Sequence, residues 1–356
     1  FRWGFTRQGT ESAGVSSVNS VNFRNLSDPV AYTRSSGRLL PVHNVVDDVS
    51  WVKGAHTLQF GANLRWMRRD SFSYAGSFHD AIANASWLLG AGRDLRPADI
   101  DPAFGASWGH AMMTVLGILS QGTANYNYDK TGKALPLGAP VLRLYGANEY
   151  EWYVQDSWKL KPNLTVTLGV RHSLYSPPWE LRGNQVAPNI SLGKWFDQRG
   201  GNMQKGIPSN QMPRISFDLA GPANGGKRGY YEFDKNNFAP RLAITYSPGW
   251  NEGWRKWLSG GPGRTSIRAG YSIVYDRVGA GLANTFDTTG AFGMSTRLVN
   301  PSSSLRTYDP DPAKMAPRFT NLATLPALII QPAPPGGFPA TPRQGLFAIT
   351  NAIDDT

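Results

Sequence analysis

Six charged residues are the first candidates for chemistry, because they fall on the polar phase of segments in which polar and apolar residues alternate. They are Arg65, Glu151, Arg171, Arg241, Arg268 and Asp276. Cations and carboxylates on one face form charge-assisted hydrogen bonds, and an excess of arginine attracts anions. Two interpretations stay open: a structural network of paired wall charges, and an electropositive path that binds an anionic solute.

The sequence contains no constellation typical of an enzyme or a metal site. Cysteine is absent, which excludes a disulfide scaffold, a thiolate metal site and a cysteine nucleophile. The glycine-rich segment 260–264 lacks the Lys-Ser/Thr of a phosphate loop and is expected to be a flexible turn. No histidine has a partner at the spacing of three or four residues that metal sites use: His43, His56, His79, His110 and His172. We therefore predict no enzyme, no cofactor and no metal.

Alternation with a period of two is the main structural signal of the chain. From Thr57 to Trp66 the even positions are apolar and the odd positions are small or polar, which is typical of a strand with one apolar and one polar face. The same pattern covers 152–160, 164–174 and 267–275, with shorter stretches at 1–5 and 242–246. These strands run to about ten residues, the length that a tilted membrane-spanning strand needs. A sandwich core would not tolerate the polar face, whereas a water-filled or plugged lumen does.

The connections alternate between short and long. Residues 53–55 and 161–162 are predicted tight turns, whereas three other stretches are far longer than ordinary loops: 70–148, 176–236 and 278–343. This alternation is typical of outer-membrane barrels, which have short periplasmic turns and long extracellular loops. The predicted fold class is all-β: an antiparallel transmembrane β-barrel fragment of about seven or eight strands. Residues 248–263 do not fit, because they should form a short turn and are of middle length.

Two short helices are predicted inside the first long loop. Asp101 is a good N-cap, Pro102 suits the first helical position, and apolar residues follow at helical spacing until Gly122. A second helix is predicted from Asp80 to Leu89, closed by a glycine. The long loops are therefore expected to carry structure of their own.

Aromatic residues are abundant, with 12 Trp, 14 Tyr and 16 Phe. Five of them lie near predicted strand ends, where a membrane barrel carries its aromatic girdles: Trp51, Trp66, Trp152, Trp158 and Tyr175. Ordinary packing on a β surface is the alternative. Four loop tyrosines could stack on a glycan or peptide, or pack within the loops: Tyr126, Tyr128, Tyr230 and Tyr231.

Four segments resemble barrel strands of TonB-dependent receptors, in particular the large members with an N-terminal carboxypeptidase-regulatory-like domain. They are 53–65, 153–171, 236–242 and 267–277, and their order and spacing match as well as their residues. The resemblance implies a plug that closes the lumen and pairs with the wall charges, and a TonB complex that supplies energy. Neither a plug with its TonB box nor a terminal aromatic strand is found in the sequence. Residues 1–356 are thus expected to be part of one barrel domain, without the plug, the N-terminal domain or the C-terminal strands.

The resemblance implies uptake of a solute across the outer membrane of a Gram-negative cell, captured by the long loops and the lumen wall. An adhesion or glycan-binding module of the outer membrane without transport is the alternative, and a soluble all-β glycan-binding domain is the third. The net charge of +11 is spread over scattered residues without a basic helix or tail, which argues against nucleic acid as a partner. The expected partners are outer-membrane lipid and lipopolysaccharide, the TonB complex, and an unidentified solute such as a glycan or peptide.

Overall fold

The computed structural model describes residues 1–14, 19–24, 34–83, 85, 96–119, 121–208, 211, 215–227, 229–277, 292–300 and 332–340. Fourteen strands and three helices lie in these ranges, in the order β1 Arg2–Ser12, β2 Ser20–Phe23, β3 Ser36–Lys53, β4 His56–Ser73, β5 Asp80–Ala83, α1 Gly105–Leu116, β6 Gln121–Asn127, β7 Val141–Lys161, β8 Leu164–Tyr175, β9 Trp179–Glu180, β10 Val186–Pro188, α2 Leu192–Gln204, β11 Phe217–Leu219, β12 Phe238–Tyr246, α3 Gly253–Ser259, β13 Ile267–Ser272 and β14 Ser295–Asn300.

The main sheet has eight strands, all in antiparallel pairs. Seven follow the order β1-β3-β4-β7-β8-β12-β13, and β9 pairs with β7. Tight turns at 54–55 and 162–163 join β3 to β4 and β7 to β8 at one end of the sheet. The long connections lie at the other end, where Ser36 faces Ser73 and Ser73 faces Val141. The predicted fold class, an antiparallel membrane-barrel fragment with long extracellular loops that contain short helices, is confirmed. The tight turns therefore mark the periplasmic end.

The two faces of the sheet differ in polarity, as the alternation predicts. Large apolar side chains of β1, β4, β7, β8 and β12 are exposed on one face: Trp3, Phe5, Phe60, Trp152, Val154, Leu168, Leu242 and Ile244. In a membrane barrel the outward surface is apolar and the interior is polar. The polar face of this sheet is therefore the lumen wall.

The extracellular connections fold into small packed units. A four-stranded sheet has the order β14-β6-β5-β2, and Val21, Ala81 and Leu119 form a buried cluster there with Phe23 against it. A second, two-stranded sheet pairs β10 with β11. Side chains such as those of Met113 and Ile118 are almost fully buried. Several of the most deeply buried apolar side chains of the described ranges thus lie outside the barrel wall.

Helix α1 confirms one of the two predicted loop helices, with a different end. The Asp101 carboxylate accepts a hydrogen bond from the Ala103 N–H at 2.8 Å, and a 3₁₀ turn at Pro102–Phe104 leads into the helix. Gly117 ends it in a left-handed conformation with φ of 64°, so the helix stops before the predicted Gly122. A glycine adopts this conformation without the steric cost of a Cβ.

The helix predicted from Asp80 to Leu89 is wrong over its first turn. Asp80–Ala83 is strand β5, which pairs in parallel with β2 and antiparallel with β6; positions 86–89 lie outside the described residues. Non-local ladder bonds outweigh the local helical preference of this alanine-rich segment. The predicted loop limits also shift, because β4 continues to Ser73 and β7 begins at Val141. In the middle-length connection, residues 253–259 form helix α3.

Candidate functional site on the polar face

Glu149 is a buried charge on the lumen wall that joins two arginines. Arg65 Nη1 lies 2.6 Å from its Oε2 and Arg277 Nε lies 3.1 Å from its Oε1. The Glu149 side chain is only 10% exposed. The antiparallel register places Arg65 directly opposite Glu149 on β4 and β7, so the sheet itself brings this pair together.

A second carboxylate, Glu151, follows one pleat further towards the periplasm. Its Oε1 accepts hydrogen bonds from the hydroxyls of Ser173 at 3.1 Å and Tyr175 at 2.9 Å. Its Oε2 accepts one from Asn63 Nδ2 at 3.2 Å. Arg171 approaches Oε1 at 3.9 Å and remains 54% exposed. The carboxylate is thus held by neutral donors from both neighbouring strands, and the guanidinium still faces solvent.

Tyr153 extends this polar network across Gly61. The Tyr153 hydroxyl donates to Asp48 Oδ1 at 2.8 Å, and Arg2 Nη2 lies 2.8 Å from the other carboxylate oxygen. A Cβ on Gly61 would lie 2.8 Å from the Tyr153 ring and 2.7 Å from a backbone oxygen of β3. The guanidinium of Arg171 lies over the Tyr153 ring at 5.8 Å. Glycine at position 61 is therefore what lets an aromatic side chain lie against the wall.

These side chains border a hollow of about 650 Å³ on the polar face. Tyr153, Arg171 and Arg241 line it together with Glu151 and Gln155. Within the described ranges, the Arg241 side chain has no hydrogen bond or ion pair. The lining holds two carboxylates, Asp48 and Glu151, and two cations, Arg171 and Arg241. Because Asp48 pairs with Arg2 and Glu151 pairs with Arg171, Arg241 is a lining cation whose charge is left without an ion pair in the described ranges. Such a surface can bind a carboxylate, sulfate or phosphate group.

The structure brings most of the predicted wall residues together. Arg65, Glu151, Arg171 and Arg241 lie on one patch, whereas Arg268 is on the same face but opposite Thr245, near the periplasmic end. Asp276 lies beyond the end of β13, and its carboxylate accepts the backbone N–H of Arg277 at 2.7 Å.

Sequence reasoning missed three members of the patch: Glu149, Tyr153 and Arg277. Glu149 and Tyr153 share the polar phase of Glu151 at a spacing of two residues, so the alternation could have identified both. Arg277 lies past β13, the last strand in the order of the main sheet, and the alternation of polar and apolar residues does not mark it.

The tryptophans predicted as girdle residues lie on the apolar face at several levels. Trp51 is opposite Leu58 near the periplasmic turn, and Trp158 is opposite His56. Trp66 is opposite Asn148, nearer the extracellular end, and Trp152 lies between these levels, opposite Ala62. Tyr175 corrects the prediction, because its hydroxyl bonds Glu151 on the polar face.

Two histidines explain breaks in the apolar phase. His172 stacks on Phe238 with ring centroids 4.1 Å apart, and its Nε2 lies 2.8 Å from the Lys235 carbonyl oxygen. Near the periplasmic turn, His56 Nδ1 lies 2.7 Å from Asp156 and its ring stacks on Trp158 at 5.2 Å. Each imidazole thus has a polar partner, whereas the second carboxylate oxygen of Asp156, Oδ1, is buried without a hydrogen-bond partner.

The loop tyrosines are packed within the extracellular units. Tyr128 is 5% exposed and its hydroxyl donates to the Pro334 carbonyl at 2.8 Å. Tyr126 contacts the His79 ring at 5.3 Å, and burial raises its pKa. Tyr230 lies against Tyr145 at 6.2 Å, and burial raises the pKa of Tyr231. These contacts favour packing within the loops over stacking on a ligand.

His79 is buried beside the extracellular four-stranded sheet and forms hydrogen bonds with two other segments. Its Nδ1 accepts the backbone N–H of Asn125 at 3.1 Å, and the backbone N–H of His79 donates to Asn19 Oδ1 at 3.0 Å. Burial lowers the pKa of His79, against the opposing effect of the neighbouring Asp80. Because Nδ1 accepts a hydrogen bond, the neutral imidazole is the form that fits this site.

The described residues contain no group of three or more His, Asp or Glu side chains that could hold a metal ion. Nor is any helix among them long and apolar enough to cross a membrane.

A long-stranded antiparallel sheet with one apolar and one charged face, short turns at one end and folded loops at the other, defines a membrane β-barrel wall. Residues 3–355 match the family described as the outer membrane beta barrel domain. Because the match covers nearly the whole chain, the protein belongs to this family and is located in the outer membrane of a Gram-negative cell. No curated protein and no solved structure matches it significantly.

Proposed function

We propose that this barrel takes up a solute across the outer membrane as part of a TonB-dependent receptor. The observation that carries the proposal is the hollow on the polar face, where Arg241 is exposed without an ion pair in the described ranges, while Glu151 and Asp48 already have arginine partners. An arginine without an ion pair adds no contact between neighbouring strands. A purely structural role in the barrel wall therefore does not explain Arg241. An anionic group on a glycan or peptide is the chemistry that this hollow accepts.

The remaining partners follow from the resemblance of the strands to TonB-dependent receptors. A plug would close the lumen and contact the charged patch, and the TonB complex would displace it with energy from the inner membrane. The apolar face would contact membrane lipid, and basic residues near the extracellular strand ends, such as Arg68 and Arg182, would meet lipopolysaccharide phosphates.

Uptake by the full-length protein in its native cells tests the proposal. Fluorescently labelled acidic oligosaccharides and acidic peptides would be supplied to wild-type and deletion strains, with and without a protonophore. Protein-dependent accumulation that the protonophore abolishes, with surface binding retained, is the expected result. Binding without accumulation under either condition would refute uptake and leave the adhesion function.

A matched pair of variants tests the role of the hollow. We expect Arg241→Gln to reduce accumulation several-fold for acidic probes and to leave neutral probes unchanged. Lys227→Gln is the control, because its ammonium lies on an exposed loop with a side chain 84% exposed. Equal uptake by the two variants would exclude Arg241 from the path.

A further inference from the structure

Helix α3 lies at the periplasmic end of the barrel, on the connection between β12 and β13. Strand β12 ends at Tyr246, opposite Leu164 at the start of β8. The Ser247 N–H then donates to the Asn163 carbonyl of the adjacent tight turn at 2.8 Å. The connection that carries the helix therefore starts at the level of the periplasmic turn between β7 and β8.

The helix exposes large apolar side chains that the protein leaves uncovered. Trp254 is 69% exposed, Trp257 is 85% exposed and Leu258 is 62% exposed. Three such residues in a seven-residue helix form a concentrated apolar patch, and patches of this kind mark an interaction surface. Because the barrel lies in a membrane, the acyl chains of the lipid are an apolar environment that this surface could contact.

The segment before the helix leaves the sheet on its apolar side. The ring of Trp250 contacts that of Tyr246 edge-on, with centroids 6.4 Å apart. Tyr246 follows Leu242 and Ile244 in the apolar phase of β12, both of which are exposed on the outward face. The chain that leads into α3 thus runs towards the lipid side rather than into the lumen.

The charges of the segment complement an anionic lipid surface. Between positions 250 and 264 there are three cations, Arg255, Lys256 and Arg264, and one carboxylate, Glu252. The Arg255 guanidinium lies 5.8 Å from the Trp250 ring and 5.5 Å from the Trp254 ring. Tryptophan with flanking arginine and lysine is the composition of helices that lie in the membrane interface.

The helix is also held in place by its C-terminal contacts. Gly260 ends it with φ of 69°, and the Thr265 hydroxyl donates to the Ser259 carbonyl at 2.7 Å. Ser259 itself is 3% exposed. The apolar patch is therefore presented from an anchored base at the start of β13.

We propose that α3 is an interfacial anchor that lies in the headgroup region of the periplasmic leaflet and binds anionic phospholipid. Trp254, Trp257 and Leu258 enter the acyl boundary, while Arg255 and Lys256 meet lipid phosphates. The anchor continues the periplasmic aromatic level of Trp51 and Trp158, where the Lys53 ammonium already lies 5.6 Å from the Trp51 ring. It does not depend on whether the barrel transports a solute.

The absence of cysteine from this chain allows a direct test by site-specific labelling. The full-length protein, with no other cysteine, would carry Trp257→Cys labelled with an environment-sensitive fluorophore. It would be reconstituted into vesicles of phosphatidylethanolamine and phosphatidylglycerol that contain a spin-labelled lipid. Lys227→Cys on the exposed extracellular loop is the matched control position.

We expect lipid-borne quencher to reduce the fluorescence at position 257 several-fold more than at position 227, with aqueous iodide showing the reverse order. Quenching of position 257 by iodide alone would overturn the proposal. Protection from both quenchers would also overturn it, because the patch would then be covered by protein, such as a second copy or a periplasmic partner.

Charge reversal tests the lipid class. The labelled protein with Arg255→Glu and Lys256→Glu is expected to lose most of its lipid quenching in anionic vesicles. A heat-dependent shift in gel mobility, equal to that of the unreversed protein, would show that the barrel is intact. Unchanged quenching in a folded double variant would exclude phospholipid phosphates as the ligands of this helix.

Discussion

Replacing Glu149 with glutamine should weaken the barrel wall by removing the carboxylate that joins two arginines. The variant keeps the shape of the side chain and one carbonyl oxygen, so one neutral hydrogen bond can persist. It loses the charge that holds Arg65 at 2.6 Å and Arg277 at 3.1 Å. Two guanidinium groups then face each other across a half-buried patch.

The size of the effect follows from burial. Breaking a fully buried ion pair costs about 3–5 kcal/mol, because one charge is left without compensation. Here the arginine side chains are 37% and 21% exposed, so water screens part of that cost. We expect the free energy of unfolding to fall by about 2 kcal/mol.

The assay is guanidinium unfolding of the full-length barrel in detergent micelles, followed by tryptophan fluorescence and by the heat-dependent gel shift. The control is Glu232→Gln, whose carboxylate meets Lys227 at 3.5 Å with side chains 69% and 84% exposed; no measurable change is expected there. A double-mutant cycle that combines Glu149→Gln with Arg277→Met should show a coupling free energy of about 1 kcal/mol between the two side chains. Equal stability of the Glu149 and Glu232 variants, with no coupling, would refute the reasoning.

Three further predictions concern other parts of the molecule. Gly61→Ala should cost about 1–3 kcal/mol of stability in the same unfolding assay, because the new Cβ would meet the Tyr153 ring and a backbone oxygen of β3. Gly4→Ala is the control, since the space around its Cβ is open. Equal effects of the two substitutions would contradict the contact at Gly61. The extracellular sheet should become more susceptible to limited proteolysis as the pH falls below about 6.5. Because the pKa of His79 is lowered in the folded sheet, the unfolded segment binds a proton at a higher pH than the folded one does, and protonation favours unfolding. An equal cleavage rate from pH 7.5 to pH 5 would count against this prediction. Tyr128→Phe should speed proteolysis of the same loops by removing the hydrogen bond to Pro334, which accounts for about 1 kcal/mol, and an unchanged rate would show that the bond contributes nothing.

The barrel strands could be predicted because a membrane wall separates its two faces strictly. In β4 and β8 each alternate residue faces either lipid or the lumen, so polarity records the orientation of the side chain. Above the bilayer that rule ends, since protein and water cover both faces. Strand β4 therefore runs on to Ser73 and β7 starts at Val141 without a signal in the pattern.

The partners of the site could not be predicted, because alternation gives the face of a residue and not the register of its strand. Arg65 and Glu149 are 84 positions apart, and only the ladder between β4 and β7 places them opposite each other. The error at Asp80 has the same origin, since β5 depends on pairing with β2, which is 60 positions away at Ser20 and Asp80. Local sequence carries no record of such pairings.

The distribution of buried residues links the stability of this barrel to its proposed function. The packed apolar side chains lie in the extracellular units, so the barrel wall depends on its backbone ladder, its lipid contacts and its lumen charges. A charge that is paired, such as Glu149, therefore cannot be removed without weakening the wall, and any loss of uptake would be ambiguous. Arg241 has no ion pair in the described ranges, so its removal leaves no partner uncompensated. Arg241 is therefore a wall position at which an effect on uptake reports on the solute path rather than on folding.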